Sequence, residues 1–471
     1  MQIPVERLRQ TLALLAPVVP MKHALERSEG TPFPAAQYVM LGEGRAMATN
    51  LETAAAVEME EADPDWSGCL PPHLLGDFLG RVPGATLATL EQDKGLLHVK
   101  VDGQEATFDV PGVDDFPPFP QLEAEHEGVM DGDALVVALT ALAPYTAKEE
   151  TRPALTAVCL DLGDMPQAVA ADGFRLVWSR LVGMPGKLPG EGQLLFPRTA
   201  IKPLAHLWKY GGKQPDFTGA KGISDLVLAK RLMRLGWKGL QLSINFGRVT
   251  MVTHLVDGAF PNYKQLVPQQ FTTHVTFLAE DLYRALQGMA RIAHEGSGIV
   301  RLEWADLKLT AGARGENTGD ITMAVPATCE GEGHIAFDHR YLLDYARGKQ
   351  GMVKMSTATP SAPAVFTYHG KANLVLMPMH VQWDTPSPYP PEPPKETAPD
   401  PGPISDPVAA YIREAKADAP FSDDDPGTAA EGTISDPPTA QVDTPSDNGH
   451  PEATSEKPKV KRARRKAAAT A

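Results

Sequence analysis

The sequence predicts an α+β fold: three tandem copies of one module, each with two helices packed on antiparallel sheets, followed by a disordered tail. Three observations carry this. An apolar helical pattern recurs at residues 5–19, 131–145 and 279–293. A strand that runs straight into a capped helix recurs from Cys69, Leu194 and Ile335. Prolines crowd one end, with 17 of the 44 in residues 386–471. Repetition in a fixed order is the mark of modules that share one supersecondary plan. The expected boundaries are 1–123, 124–268 with an insertion near 211–239, 269–385, and a tail at 386–471.

The first helix opens at Val5-Glu6-Arg7-Leu8 and sets Leu8, Leu12 and Leu15 on one face. Leu8, Leu135 and Leu282 hold matching places, 127 and 147 residues apart. Asp131 and Glu280-Asp281 put carboxylates at helix starts, where free N–H groups favour them. In the strand-to-helix unit, Pro71, Pro197 and Asp338 hold matching places, 126 and 141 residues apart. Between the helices, residues 87–101 and 298–310 alternate apolar and polar side chains with the period of a half-buried strand. Asp115-Phe116-Pro117 and Ala259-Phe260-Pro261 form a third echo, 144 residues apart.

Composition narrows the function. Lys plus Arg is 44 and Asp plus Glu is 59, a net charge of -15, which excludes a wholly basic nucleic-acid binder but not a local basic surface. The tail has 15 acidic and 10 basic residues, a net of -5, so residues 1–385 carry the other -10. Three cysteines, Cys69, Cys159 and Cys329, lie far apart and support neither a disulfide framework nor a zinc site. Isolated thiols fit a reducing cytoplasm. The start MQIPVERLRQ has charges where a signal peptide needs apolar residues. No phosphate loop, H-E-x-x-H or G-x-S-x-G pattern occurs, and the histidines have no ligand spacing. The expectation is a non-catalytic scaffold or ring with no cofactor and no metal.

The tail is poor in large apolar residues, so it cannot bury enough surface to offset its ordering entropy. Residues 407–417 could form one short helix, and seven Lys/Arg between Lys457 and Lys466 suit contact with phosphates.

Several runs then resemble one family. Ala170-Ala171-Asp172-Gly173-Phe174-Arg175-Leu176 resembles the A-T-D-G-x-R-L loop of bacterial sliding clamps, the beta subunit of DNA polymerase III. Arg152-Pro153-Ala154-Leu155-Thr156-Ala157-Val158 looks like that family's R-x-x-L-N-G-V strand. Leu255-Val256-Asp257-Gly258-Ala259-Phe260-Pro261-Asn262-Tyr263 is similar to its L-V-D-G-x-F-P-D-Y segment, and Val375-Leu376-Met377-Pro378-Met379 to its closing V-M-P-M. The motifs keep the family's order, and the resemblance covers residues 1 to about 383.

The resemblance implies a head-to-tail homodimer ring in the cytoplasm. Its inner helices would surround double-stranded DNA without reading sequence, and it would hold the replicative DNA polymerase, the clamp loader and other clamp-motif proteins. It implies no membrane and no active site. By it, the DNA-facing cations are Arg7, Arg9, Arg81, Lys148, Arg198, Lys202, Lys209, Arg284, Arg291, Arg340, Arg347 and Lys349. The wall of the partner-peptide pocket is Leu155, Ala171, Gly173, Phe174, Arg175, Leu176, Pro261, Leu266, Tyr341, Val375, Met377, Pro378 and Met379. Methionines and prolines suit an adaptable apolar groove. The chain departs from the pattern at Ala171, at Gln265, in the insertion, in His294-Glu295-Gly296-Ser297, and in its long tail. Two other readings compete: a clamp-like partner-binding hub of a mobile element, and an enzyme using the insertion as a lid.

Overall fold

A computed structural model describes residues 1–20, 34–84, 86–149, 151–163, 165–181, 192–211, 232–305, 307–368 and 373–381. The expected tail with its helix at 407–417, and residues 212–231 of the expected insertion, lie outside the described residues. Residues 232–238 of that insertion form a regular strand, paired with 126–131 and 241–245.

Among the described residues, and leaving aside short 3-10 turns, the order β-α-β-β-β-β-α-β-β-β occurs three times, over residues 2–109, 126–254 and 273–376. Among the described residues the helices are α1 (Val5–Leu15), α2 (Pro72–Leu79), α3 (Gly132–Leu142), α4 (Arg198–Gly211), α5 (Ala279–Glu295) and α6 (His339–Ala346). They pack in pairs, α1 on α2, α3 on α4 and α5 on α6, and α1 also touches α4.

Residues three and four apart share a helix face, and that face is what each first helix buries. Leu8, Leu12 and Leu15 do so in α1, Leu135, Leu139 and Leu142 in α3, and Leu282, Leu286 and Met289 in α5. Each such side chain contributes about 1.5–3 kcal/mol on burial. Asp131 caps α3, accepting the Ala134 N–H at 3.1 Å. Asp338 caps α6 by accepting the Arg340 N–H at 2.8 Å. Burial pushes the Asp338 carboxyl up, but its bonds to Arg340 outweigh this and hold it below the usual range. Glu280 turns away from its own helix and accepts the Gly351 N–H at 2.9 Å.

Helix α1 stops at Leu15 rather than Val19. Residue 17 is proline, so no N–H is available there for the Ala13 carbonyl. His206 Nε2, on α4, lies 3.1 Å from that oxygen instead and ties α4 to α1.

Among the described residues the strands form antiparallel sheets of four, eight and twelve members. Two of these cross from one repeat to the next by the same connection. Strand 53–58 pairs with 249–254, from Thr53↔Thr253 to Val57↔Val249. Strand 175–180 pairs with 373–376, from Arg175↔Leu376 to Trp178↔Asn373. Each joins the fourth strand of one repeat to the last strand of the next. The remaining fourth strand, Asp320–Glu330, pairs with 308–314 along its first seven residues and with 273–278 only from Ala327 on. The remaining last strand, Gln104–Asp109, is the edge of the four-stranded sheet.

Candidate functional site

The second of these junctions holds a cleft of about 650 Å³. It forms where strand 175–180 meets 373–376 beside the start of α6. A turn builds one wall. Asp172 Oδ1 accepts the N–H groups of Phe174 and Arg175, both at 3.0 Å. Gly173 takes φ +95°, a left-handed conformation that costs glycine little. The turn sends Phe174 outward, 53 % exposed, and Arg175 inward, 7 % exposed.

Arg175 holds the junction together. Its Nε donates to Asp172 Oδ2 at 2.8 Å and its Nη2 to Pro144 O at 2.8 Å. Its Nη1 reaches Asp344 Oδ2 on α6 at 3.4 Å. The guanidinium lies between two rings, 4.7 Å from the Tyr145 centroid and 4.5 Å from that of Tyr341. A weakly hydrated planar cation suits this place, where an ammonium could make neither the fork nor the double stack. Burial pushes the Tyr145 hydroxyl up to about 12, against the lowering effect of Arg175. Phe174 stacks on Tyr341 with centroids 6.2 Å apart.

A small apolar cluster lies under this wall, containing Leu155, Leu176, Phe260, Tyr263 and Val375. Tyr263 donates to Asp161 Oδ2 at 2.9 Å, and Lys264 Nζ lies 3.2 Å from the same oxygen. Burial raises the Asp161 carboxyl, but those two bonds and the Gly163 N–H bring it below its ordinary value. The rim is mixed in charge: Lys148, Arg152 and Arg340 line it together with Glu149, and Lys148 and Arg152 have no ion pair among the described residues.

Five of the thirteen expected wall residues line the cleft: Leu155, Gly173, Phe174, Arg175 and Tyr341. Leu176 and Val375 are buried in the cluster, and Ala171 packs against it half-buried. Pro261 and Leu266 are exposed on the neighbouring loop. Met377 is 44 % exposed and donates its N–H to Phe174 O at 2.9 Å. Pro378 and Met379 are half-buried, and the Met379 N–H bonds Ala336 O at 2.7 Å. Sequence reasoning missed Arg152, Asp172 and Asp344 as members of this site. The Asp172-Gly173 turn signal and the Arg175 that it positions were legible together; the reach to Asp344, 169 residues away, was not.

The expected DNA-facing cations divide. Arg81, Arg198, Lys202 and Arg291 are exposed, with no ion pair among the described residues. Arg7 meets Glu61 at 3.2 Å, Arg9 meets Glu6 at 3.7 Å, and Arg284 meets Asp281 at 3.0 Å. Arg347 lies 3.9 Å from Asp344, and Lys209 lies over the Tyr210 ring at 4.9 Å. Lys148 and Arg340 sit on the lip of the cleft. Lys349 is folded over the Tyr345 ring at 4.2 Å and donates to the Tyr345 carbonyl; burial pushes its ammonium down to about 8.

A larger recess, about 820 Å³, lies at the other junction, between α1 and α4. Its arginines are paired within it, Arg7 with Glu61 and Arg248 with Glu60 at 2.6 Å. It lacks the uncompensated cations of the smaller cleft, and its aromatic pair, His206 and Tyr210 at 4.7 Å, is tilted rather than stacked.

Comparison with known proteins gives the same outline. Residues 264–380 match the family described as DNA polymerase III beta subunit, C-terminal domain. A beta sliding clamp of Synechococcus elongatus is 24 % identical over 341 residues, covering 71 % of this chain and 86 % of its own length. Over residues 264–380 the chain thus carries the C-terminal domain of the beta sliding clamp family, and the curated relatives that it resembles are beta sliding clamps. The fold agrees. The DNA polymerase III beta subunit of Thermotoga maritima superposes with a TM-score of 0.69 at 18 % identity, covering 81 % of this chain and 99 % of that one. The sliding clamp of Pseudomonas aeruginosa bound to griselimycin gives 0.67 at 21 % identity, with the same coverage. Clamps of this family are non-catalytic processivity subunits. Among the described residues no helix is long and apolar enough to cross a membrane.

Proposed function

We infer that this chain is a DNA polymerase processivity clamp that encircles duplex DNA as a head-to-tail homodimer in the cytoplasm. Its domains are 1–123, 124–268 and 269–385. One observation carries the ring. The junction that joins repeat one to two and two to three leaves strand 104–109 and the 320–326 edge without a counterpart. Joining those edges between two copies, twice, closes a six-domain ring with every junction alike. The half-buried Phe108, Ile321 and Met323 on these strands already pack against the core and would be covered by that pairing. The helices would then face the hole, with Arg81, Arg198, Lys202 and Arg291 toward phosphates in contacts that read no sequence.

The cleft at the Phe174–Tyr341 stack would take the short peptides of the replicative polymerase, the loader and other clamp-motif proteins, and also griselimycin, which is bound by the Pseudomonas aeruginosa clamp. The apolar cluster beneath it and the rim cations Lys148 and Arg152 support that use. The test is topological: the protein should stay on nicked circular DNA after loading and leave when that DNA is linearised. Equal retention on both forms would refute encirclement.

A further inference from the structure

The backbone passes beside the cleft as the last repeat ends. Met377 bonds Phe174 O on one wall and Met379 bonds Ala336 O, two residues before the Asp338 that caps α6 on the other. The chain therefore leaves beside the Phe174 wall and reaches Val381 two residues later, with 90 residues still to come. The walls it passes carry an exposed ring, Phe174, and two rim cations, Lys148 and Arg152, with no ion pair among the described residues.

The next stretch of chain is complementary to those walls. Residues 382–396 read QWDTPSPYPPEPPKE. They supply two aromatic side chains, Trp383 and Tyr389, in a segment otherwise short of them. They also supply Asp384, Glu392 and Glu396 against Lys395 alone, a net of -2. Tyr389 is eight residues beyond Val381, a covalent reach of up to about 28 Å, ample to return to a cleft whose edge is four residues behind Val381.

We propose that residues 382–396 occupy this cleft in the absence of a partner, with Tyr389 on the Phe174 face and the carboxylates toward Lys148 and Arg152. The inference rests on reading the cleft as a peptide site, and makes the chain the first competitor for that site. The segment needs little intrinsic affinity. A short tether presents it at an effective concentration of about 1 mM, so a dissociation constant of roughly 0.1 mM would occupy the cleft about ten to one. Any partner peptide would then bind about tenfold more weakly than to the vacant cleft.

The test uses the full chain and labelled griselimycin, read by fluorescence anisotropy. Trp383→Ala with Tyr389→Ala should tighten griselimycin binding about tenfold, and a synthetic peptide of residues 382–399 should displace the label from that variant. The same affinity in parent and variant, with Phe174→Ala still weakening griselimycin, would overturn the self-occupancy and leave the cleft as a peptide site. If Phe174→Ala with Tyr341→Ala leaves griselimycin binding unchanged, the peptide-site reading falls and the self-occupancy with it.

Discussion

Replacing Arg175 with methionine keeps an unbranched apolar stem and removes the guanidinium with its charge. The cost can be worked from its contacts. Asp344 is 39 % exposed and would turn to water, so its loss contributes little. Asp172 is only 12 % exposed and would keep the two backbone N–H bonds of its turn but lose its counter-ion. The Pro144 carbonyl would lose the Nη2 donor. Removing one partner of a buried pair costs about 3–5 kcal/mol, because a charge stays behind uncompensated. At about 2–4 °C per kcal/mol for a unit of this size, calorimetric melting of the full chain should fall by roughly 6–20 °C. Griselimycin binding should fall as well, since the Phe174 wall and Tyr341 are both held through this side chain. Arg175→Lys keeps a charge but not the fork, and should recover only part of the loss. A methionine variant melting within about 2 °C of the parent, with unchanged griselimycin affinity, would refute the role given to Arg175.

Three further outcomes are expected. Truncating Met377 and Met379 to alanine removes apolar area worth about 1–3 kcal/mol, so griselimycin affinity should drop at least about tenfold while the oligomer stays intact. Reversing charge at Arg198 and Lys202 should weaken DNA association on every sequence, and the log–log salt slope should become shallower by about 1.8 if both face phosphates; an unchanged slope would turn α4 away from DNA. Lys349 titrates lower folded than unfolded, near 8 rather than 10.5, so the unfolded chain binds more protons between those values and stability gains with rising pH there. Lys349→Met should raise the melting temperature near pH 7 and flatten its rise between about pH 8 and 10; a parallel rise in both proteins would contradict this.

The repeats were legible because their signals are local. Period 3.6 in α1, α3 and α5, and period 2 in 87–101 and 298–310, needed only neighbouring residues. The Asp338 cap needed two positions. The junctions were not legible in that way, since Thr53 pairs with Thr253 through a sheet that only the tertiary fold assembles. The same holds for the cations. Nothing near Arg7 in sequence shows that Glu61 will meet it, or that Lys349 will fold onto Tyr345 rather than face solvent. Arg175 was assigned to the right place from its motif, but as a wall residue. It does line the cleft, but its packing between Tyr145 and Tyr341 also makes it a strut of the wall, which the motif alone did not show.

The two intrachain junctions share a backbone plan, yet only one has the aromatic cleft, and the difference is traceable to four positions. At the first junction Asn50 builds the same turn, accepting the Glu52 and Thr53 N–H groups at 3.1 and 2.7 Å as Asp172 accepts those of Phe174 and Arg175. Leu51 there takes φ +74° where Gly173 takes +95°. The place of Arg175 goes to Thr53, which bonds Thr253 Oγ1 at 2.9 Å. With Pro197 in the place of Asp338, Ala200 falls where Tyr341 stands, and it is fully buried. A threonine pair and an alanine take the places of the cation and the ring at that end of the junction, and the recess there lies toward Val57 and Val249 instead. One griselimycin per chain is therefore expected in titration calorimetry, and Phe174→Ala should weaken that single event. Two equivalent binding events per chain would show that the turn alone makes a site, and that Arg175 and Tyr341 do not decide where peptides bind.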